Sequence, residues 1–374
     1  MEMKDNKKRI YWLDVARVIA IISITLNHAV NRSYDNYHDQ MAEYLAIPIA
    51  STILKTVITV FSRMGVPLFL MISGTLLLNK SITDEDGIRR FYLHNCLDIL
   101  ITSEIWYFIM YVRLTAVSLL RSDDPLSLIP GMIIGLIKTM LFIDQVTFDS
   151  MWYIPMILSV YLLIPLFALL LKKVSLKAFI APCIIVFISS MLVPGINAFM
   201  DLSGSDVQIS FALTSSNVFS KYLLYVFAGY WISQGGFDRL KKSTIWILSS
   251  VFFAIACIAQ LYAYSRPQNY LVSSDYNSPL CLFSVVFLYD GIRRIKDKQG
   301  IIADRVAYLS KISFGVYFVH IILMTLINKL PIYSWPRPII LLFLEVTSVS
   351  GSVIIIWLLS HIDIFKRRLF LIKD

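Results

Sequence analysis

The chain has 374 residues, of which 57% are hydrophobic and only 16% charged. Its 34 basic and 25 acidic side chains leave a formal net charge of +9. An ordinary soluble domain carries about 25% charged residues, so this composition, with a mean hydropathy of +0.69, excludes soluble, fibrous and disordered chains. What fits is a polytopic membrane protein, whose lipid-facing side chains are apolar too. On a soluble protein the positive balance would suggest nucleic acid; here it reads as basic residues gathered in cytoplasmic loops, with no nucleic-acid partner.

A membrane-crossing helix needs about 20 mostly apolar residues. The first such stretch, 11–30, follows the basic segment MEMKDNKKRI and ends in LNHAVNRSY. No small-x-small cleavage site follows, so it is expected to be retained as a helix. Further spans are expected at about 57–78, 93–117, 151–171, 178–194, 219–234, 244–264, 279–292, 312–330 and 338–360. The stretches 219–234 and 279–292 are short and imply tilt or extension by neighbours. GMIIGLIKTMLFI (131–143) is too short to span and reads as an interfacial or re-entrant segment. The N-terminus, the even-numbered loops and the C-terminus carry 23 Lys and Arg, and the other loops carry seven. That asymmetry predicts cytoplasmic termini and an even number of spans. The larger external segments are 31–56, 118–150 and 195–218. No repeat or composition shift divides the chain, so residues 1–374 are expected to form one all-α, membrane-embedded domain of about ten transmembrane helices.

Cys96, Cys183, Cys257 and Cys281 each lie in an apolar stretch without metal-binding spacing. They read as small core residues, neither disulfides nor metal ligands. Ionisable residues at membrane depth are costly and so are candidates for function. The first span holds Asp14 and Arg17, three apart and able to pair on one face. His28 lies eleven residues beyond Arg17, within about 20° of the same face and roughly 16 Å along the axis. Asp14 reads as a structural ion-pair partner of Arg17. Arg63, Asp98, Glu104, Asp290, His320 and Glu345 are further candidates at depth. Arg63 precedes MGVPLFLMISG, where small residues allow close packing and Pro67 can open the helix backbone.

These blocks together resemble the acyltransferase 3 family of integral membrane acyltransferases. The resemblance rests on Arg17 with His28 in the first helix, then GVPLFLMISGTLLL (65–78) and MWYIPMILSVYLLIPLF (151–167). It continues in KYLLYVFAGYWIS (221–233), LSKISFGVYFVHIILM (309–324) and the basic end WLLSHIDIFKRRLF (357–370), in order over nearly the whole chain. It implies a multi-pass plasma-membrane enzyme that moves an acyl group, commonly acetyl, from acyl-CoA to a hydroxyl of a cell-surface glycan, a lipid-linked sugar or an exported small molecule. His28 is then the general base and Arg17 its essential partner near the CoA. Arg63, Arg89 and Arg90 are candidate contacts to the CoA, and Trp152, Tyr153 and His320 to the acceptor. Acetyl-CoA is expected as donor substrate, with no permanently bound cofactor and no metal.

Two departures stand out. The family often carries a basic pair spaced Arg-x-x-Arg where the third helix begins, whereas Arg89-Arg90 is followed here by FYLHNCLDIL, with His94, Asn95 or Asp98 at the later basic positions. Many members also have a His before the Trp-Tyr pair, where Ser150 and Met151 stand here. Asp14 is too distant to orient His28, so another group must do so. The rival reading is a transporter or export partner without catalysis, since intramembrane Arg, His and Asp also serve transport.

Overall fold

The computed structural model describes residues 9–34, 47–80, 82, 84–143, 151–210, 221–265, 275–332 and 334–372. It is 80% helical, with no strand among the described residues. Helices follow as α1 (Tyr11–Tyr34), α2 (Ile49–Ser62), α3 (Gly65–Leu77), α4 (Glu85–Phe91), α5 (Leu97–Arg121), α6 (Pro125–Met140), α7 (Tyr153–Lys173), α8 (Ile180–Phe187) and α9 (Val193–Leu202). After them come α10 (Lys221–Ser233), α11 (Lys242–Tyr264), α12 (Pro279–Arg293), α13 (Ile301–Ile327), α14 (Arg337–Leu359) and α15 (Asp363–Arg368). Wider π-turns at Tyr92–Cys96 and Ile188–Leu192 join α4 to α5 and α8 to α9.

Among the described residues, eight helical runs are long and apolar enough to cross a bilayer, consistent with an all-α polytopic membrane protein. The expected short spans correspond to α10 and α12, of 13 and 15 residues. At 1.5 Å per residue these rise only roughly 20–23 Å, less than the ~30 Å hydrocarbon core. The expected interfacial segment lies in and just beyond α6, with Ile133, Ile134 and Ile137 about half exposed. The second span differs most from expectation. It begins at Ile49, so Lys55 falls inside a helix, buried with its ammonium 4.5 Å from the Tyr264 ring centroid. It also breaks at Arg63–Met64. Pro67 has no N–H to offer the carbonyl four residues back, which is that of Arg63.

The chain forms two compact units, Met1–Asn79 with Leu171–Val353, and Lys80–Leu170 with Ile354–Asp374. In the first, α3 and α10 cross with their backbones in contact. A Cβ added to Gly74 would lie 1.9 Å from the Val226 carbonyl oxygen, and one added to Gly229 would lie 2.1 Å from that of Met71. Small residues permit this approach, and hydrogen bonds across it reinforce the crossing. Thr75 donates to the Gly229 carbonyl at 2.9 Å and meets the Tyr289 hydroxyl of α12 at 2.8 Å. Trp12 of α1 meets the same Tyr289 ring edge-on, with centroids 5.5 Å apart.

Asp290 of α12 is fully buried and clamped by Arg293 and Arg294, whose Nε atoms each donate at 2.8 Å. Arg294 also donates to the carbonyls of Phe237 and Leu240, tying the α10–α11 loop to the end of α12. Arg293 reaches Asp238 in that loop, and this hydrogen bond holds the Asp238 carboxyl below the ordinary carboxylate range. The depressed value means that the pair contributes stability above the unfolded pKa and loses it as pH falls through the folded one.

In the second unit, Asp84 caps α4 by accepting from the Gly87 N–H at 2.7 Å. Tyr92 donates to the Leu162 carbonyl at 3.0 Å, and the Trp106 indole to that of Leu369 at 2.9 Å.

Three substitutions test the packing and the buried clamp by thermal melting of the detergent-solubilised protein. Gly229→Ala is expected to lower stability by about 1–3 kcal/mol through overpacking. Gly131→Ala, where an added Cβ meets nothing within 4 Å, is expected to lower nothing. Asp290→Asn removes the buried negative charge that Arg293 and Arg294 share and is expected to cost about 3 kcal/mol, less than a full stranding because both arginines keep partners in the α10–α11 loop.

Candidate active site

Helix α1 presents two polar positions to α13, both in the first unit. Near its start, Asp14 is buried and accepts from Arg9 at 2.5 Å, from the Ser310 hydroxyl of α13 at 2.7 Å, and pairs with Arg17 at 3.5 Å. Arg9 also donates to the Ala307 carbonyl of α13. A carboxylate at membrane depth is tolerated when paired in this way. Arg17 keeps 31% of its side chain exposed beside this clamp.

Near the far end of α1, half-buried His28 packs on His320 of α13, with ring centroids 5.3 Å apart and planes inclined by 46°. His320 is fully buried, and its Nδ1 lies 2.8 Å from the Val316 carbonyl. A carbonyl can only accept, so Nδ1 carries a proton, and in the neutral imidazole Nε2 keeps its lone pair. That Nε2 is buried and meets no partner among the described residues. Buried polar atoms are normally satisfied, so an orphaned acceptor beside a second imidazole calls for an explanation.

Two guanidiniums complete the surroundings, since Arg32 and Arg63 lie within electrostatic reach of His28. Arg32 stands four residues after His28 in α1, with its Nη1 4.0 Å from the Met324 sulfur. Arg63 stands at the α2–α3 break, 5.3 Å from the Tyr276 ring centroid, with its Nε buried and without a hydrogen-bond partner among the described residues. Gly65 lets that break approach α1: a Cβ there would lie 2.7 Å from the Ala20 carbonyl and 2.8 Å from the Ile24 side chain. Imidazoles flanked by cations attract negative charge, as a site for a developing oxyanion requires.

The structure therefore brings together Asp14 with Arg17, and His28 with His320, while Arg63 stands at the α2–α3 break that Gly65 packs against α1. Arg89, Arg90, Trp152 and Tyr153 belong to the second unit. Arg89 and Arg90 are exposed on α4, and the half-buried Trp152 and Tyr153 rings meet edge-on, 6.4 Å apart. Ser150 lies outside the described residues, whereas Met151 is buried and its carbonyl accepts from Tyr107. Of the other candidates at depth, Glu345 accepts from Thr25 of α1 at 2.6 Å. Glu104, in the second unit, has both carboxyl oxygens buried and without a hydrogen-bond partner among the described residues. Sequence reading assigned Arg32 to an external loop and passed over Ser310. The four-residue spacing from His28 puts Arg32 on the same helix face; no local signal marks Ser310.

An acyltransferase-domain model, that of the acyltransferase 3 group, matches residues 10–357. The chain belongs to the acyltransferase 3 family. No curated protein and no solved structure matches it. The family match spans both units, so this is a membrane acyltransferase whose matched region contains the imidazole pair.

Melting experiments separate the parts of the Asp14 clamp. Ser310→Ala removes one hydrogen bond and is expected to cost about 1 kcal/mol. Asp14→Ala removes the hydrogen bond to Ser310 together with the pairing to the partly exposed Arg9 and Arg17, and is expected to cost more, about 2–3 kcal/mol. Equal effects would mean that Asp14 matters only for its contact with Ser310.

Proposed function

We propose that the protein transfers an acetyl or other acyl group from acyl-CoA to a hydroxyl of a glycan, a lipid-linked sugar or an exported small molecule, with His28 as general base. The observation that supports this most directly is the His28–His320 pair, with an unpartnered acceptor nitrogen and two guanidiniums beside it. A sugar hydroxyl is a poor nucleophile at neutral pH. In this reading His28 removes its proton as the oxygen attacks the thioester carbonyl, a contribution of about 10²–10⁴-fold. His320 Nε2 accepts a hydrogen bond from the acceptor and holds it in line. Arg63 faces the carbonyl oxygen as it becomes an oxyanion, with Arg32 adding to the field. Collapse of the tetrahedral intermediate expels CoA as thiolate, which takes the proton back from His28, so protons and charge balance over the cycle.

Arg17 sits roughly 16 Å before His28 along α1. The positive-inside pattern puts it toward the cytoplasm, where CoA is made, and His28 toward the outside. In this reading the pantetheine arm bridges that distance and Arg17 grips a CoA phosphate. Arg89 and Arg90 remain the phosphate contacts implied by family resemblance, and Trp152 and Tyr153 those to the acceptor. The enzyme then works from the plasma membrane, taking donor from inside and acceptor from outside.

Purified protein should turn over acetyl-CoA, and His28→Ala should lower that rate at least about 100-fold with the melting temperature nearly unchanged. Activity retained above that level removes His28 as the base; no turnover of acetyl-CoA or longer acyl-CoA by folded wild type would defeat acyl-CoA as the donor. Arg17→Lys should fail to restore transfer, because a point charge lacks the planar fork that grips phosphate. In oriented vesicles, acetyl-CoA should serve only from the cytoplasmic side and acceptor only from the other. Transfer with both on the cytoplasmic side would defeat the through-membrane route while leaving acyl transfer intact.

A further inference from the structure

Within the first unit, a cleft of about 680 Å³ opens among α8, α10 and α12. Its walls are almost wholly apolar, formed by side chains such as Phe179, Cys183, Phe227, Trp231 and Phe287, and among the described residues Lys177 is the one charged side chain lining it. Phe179 and Phe227 stack with centroids 5.3 Å apart, and Trp231 meets Phe237 edge-on at 4.6 Å, so the wall is aromatic and stiff.

Water does not settle in such a space, because each molecule needs about two to four polar partners. A dry apolar cavity of ~150 Å³ accepts benzene, and this one is several times larger. In a bilayer, hydrocarbon chains are the occupants at hand. From Leu176 to Phe187 the wall rises roughly 17 Å, close to the ~15 Å half-thickness of the hydrocarbon core. The cleft is therefore about one leaflet deep.

Its charge distribution identifies the leaflet and the headgroup. Lys177 stands at one end, in the loop joining α7 to α8, and Trp231 and Phe237 lie toward the same end, where α10 finishes. Exposed Lys172 and Lys173 end α7 beside the first loop, and exposed Arg239 and Lys241 lie in the second, between α10 and α11. By the positive-inside pattern this end is cytoplasmic. Basic side chains at that level attract anionic headgroups.

We propose that this cleft binds an anionic phospholipid of the cytoplasmic leaflet, its acyl chain along the aromatic wall and its phosphate on Lys177. The site is separate from the imidazole pair, and the proposal stands whether or not acyl transfer is the activity.

Native mass spectrometry of the full chain in detergent tests it, with phosphatidylglycerol and phosphatidylcholine of identical acyl chains as probes. Phosphatidylglycerol is expected to bind about fivefold more tightly, the effect of one Lys near an anionic surface. Lys177→Gln should bring that ratio close to one while phosphatidylcholine binding persists. Ala228→Trp, which fills the cleft, should remove both lipids, and Cys183→Phe serves the same end from α8. Should both filled variants fail to fold, the Lys177→Gln comparison decides alone, since that side chain is exposed and surface substitutions usually shift stability by less than about 0.5 kcal/mol. Equal binding of the two lipids by wild type, an unchanged preference in Lys177→Gln, or unchanged binding in folded, filled variants would overturn the proposal. Displacement of bound lipid by palmitoyl-CoA, without a headgroup preference, would assign the cleft to an acyl donor and overturn it too.

Discussion

A buried carboxylate with three side-chain partners is the constraint on which the rest of the site depends. Asp14 can stay at membrane depth because Arg9, Arg17 and Ser310 together supply the charge and hydrogen bonds that bulk water would have given it. Satisfying it pins the start of α1 to α13. Since the helices are stiff, that contact also limits which residues of α13 can face His28. The pairing Asp14–Ser310 and His28–His320 runs in the same chain direction on both helices. Such a parallel contact is what two helices separated by an odd number of intervening crossings must make, so the pairing agrees with an odd-numbered place for both spans.

The spans were legible in the sequence because hydropathy reports a bulk property of about 20 residues at a time. So were the short α10 and α12, the non-spanning α6 and the family, whose blocks are local strings. Less visible were features that depend on partners remote in the chain. The break at Arg63–Met64 was foreshadowed by Pro67, yet only Gly65 against Ala20 and Ile24 shows why it lies beside α1. Lys55 looked like a loop residue because a lysine lowers the hydropathy of its window, whereas the rings of Tyr34 and Tyr264 accept its charge inside the fold. Asp290 and Glu345 looked alike as lone acids at depth. One is clamped by two arginines on its own helix end, and the other shares a single hydroxyl on α1.

Polar atoms fall into two populations in the first unit. Around Asp14 and Asp290 the donors and acceptors are matched, as they must be where a charge is removed from water. Around His28 they are not: His320 Nε2 and Arg63 Nε are both buried without a hydrogen-bond partner among the described residues. Matched clusters hold helices together; in the proposed reading, the unmatched atoms near His28 keep their bonding capacity for substrate. Sequence alone registers both populations as rare intramembrane charges and cannot sort them, because sorting requires knowing who stands opposite.

The two contacts along the α1–α13 seam are not equivalent in what they specify. One helical turn beyond Ser310 stands Ser313, another hydroxyl that could serve Asp14 nearly as well. A slide of α13 by a single turn would therefore leave the carboxylate contented. The same slide would put Leu323 or Met324 opposite His28. Serine chemistry thus tolerates two alignments of the helices, and the imidazole pair accepts only one. The residues proposed to handle substrate are then also the ones that break this tie, so an allele that alters His320 would be expected to blur helix alignment as well as chemistry.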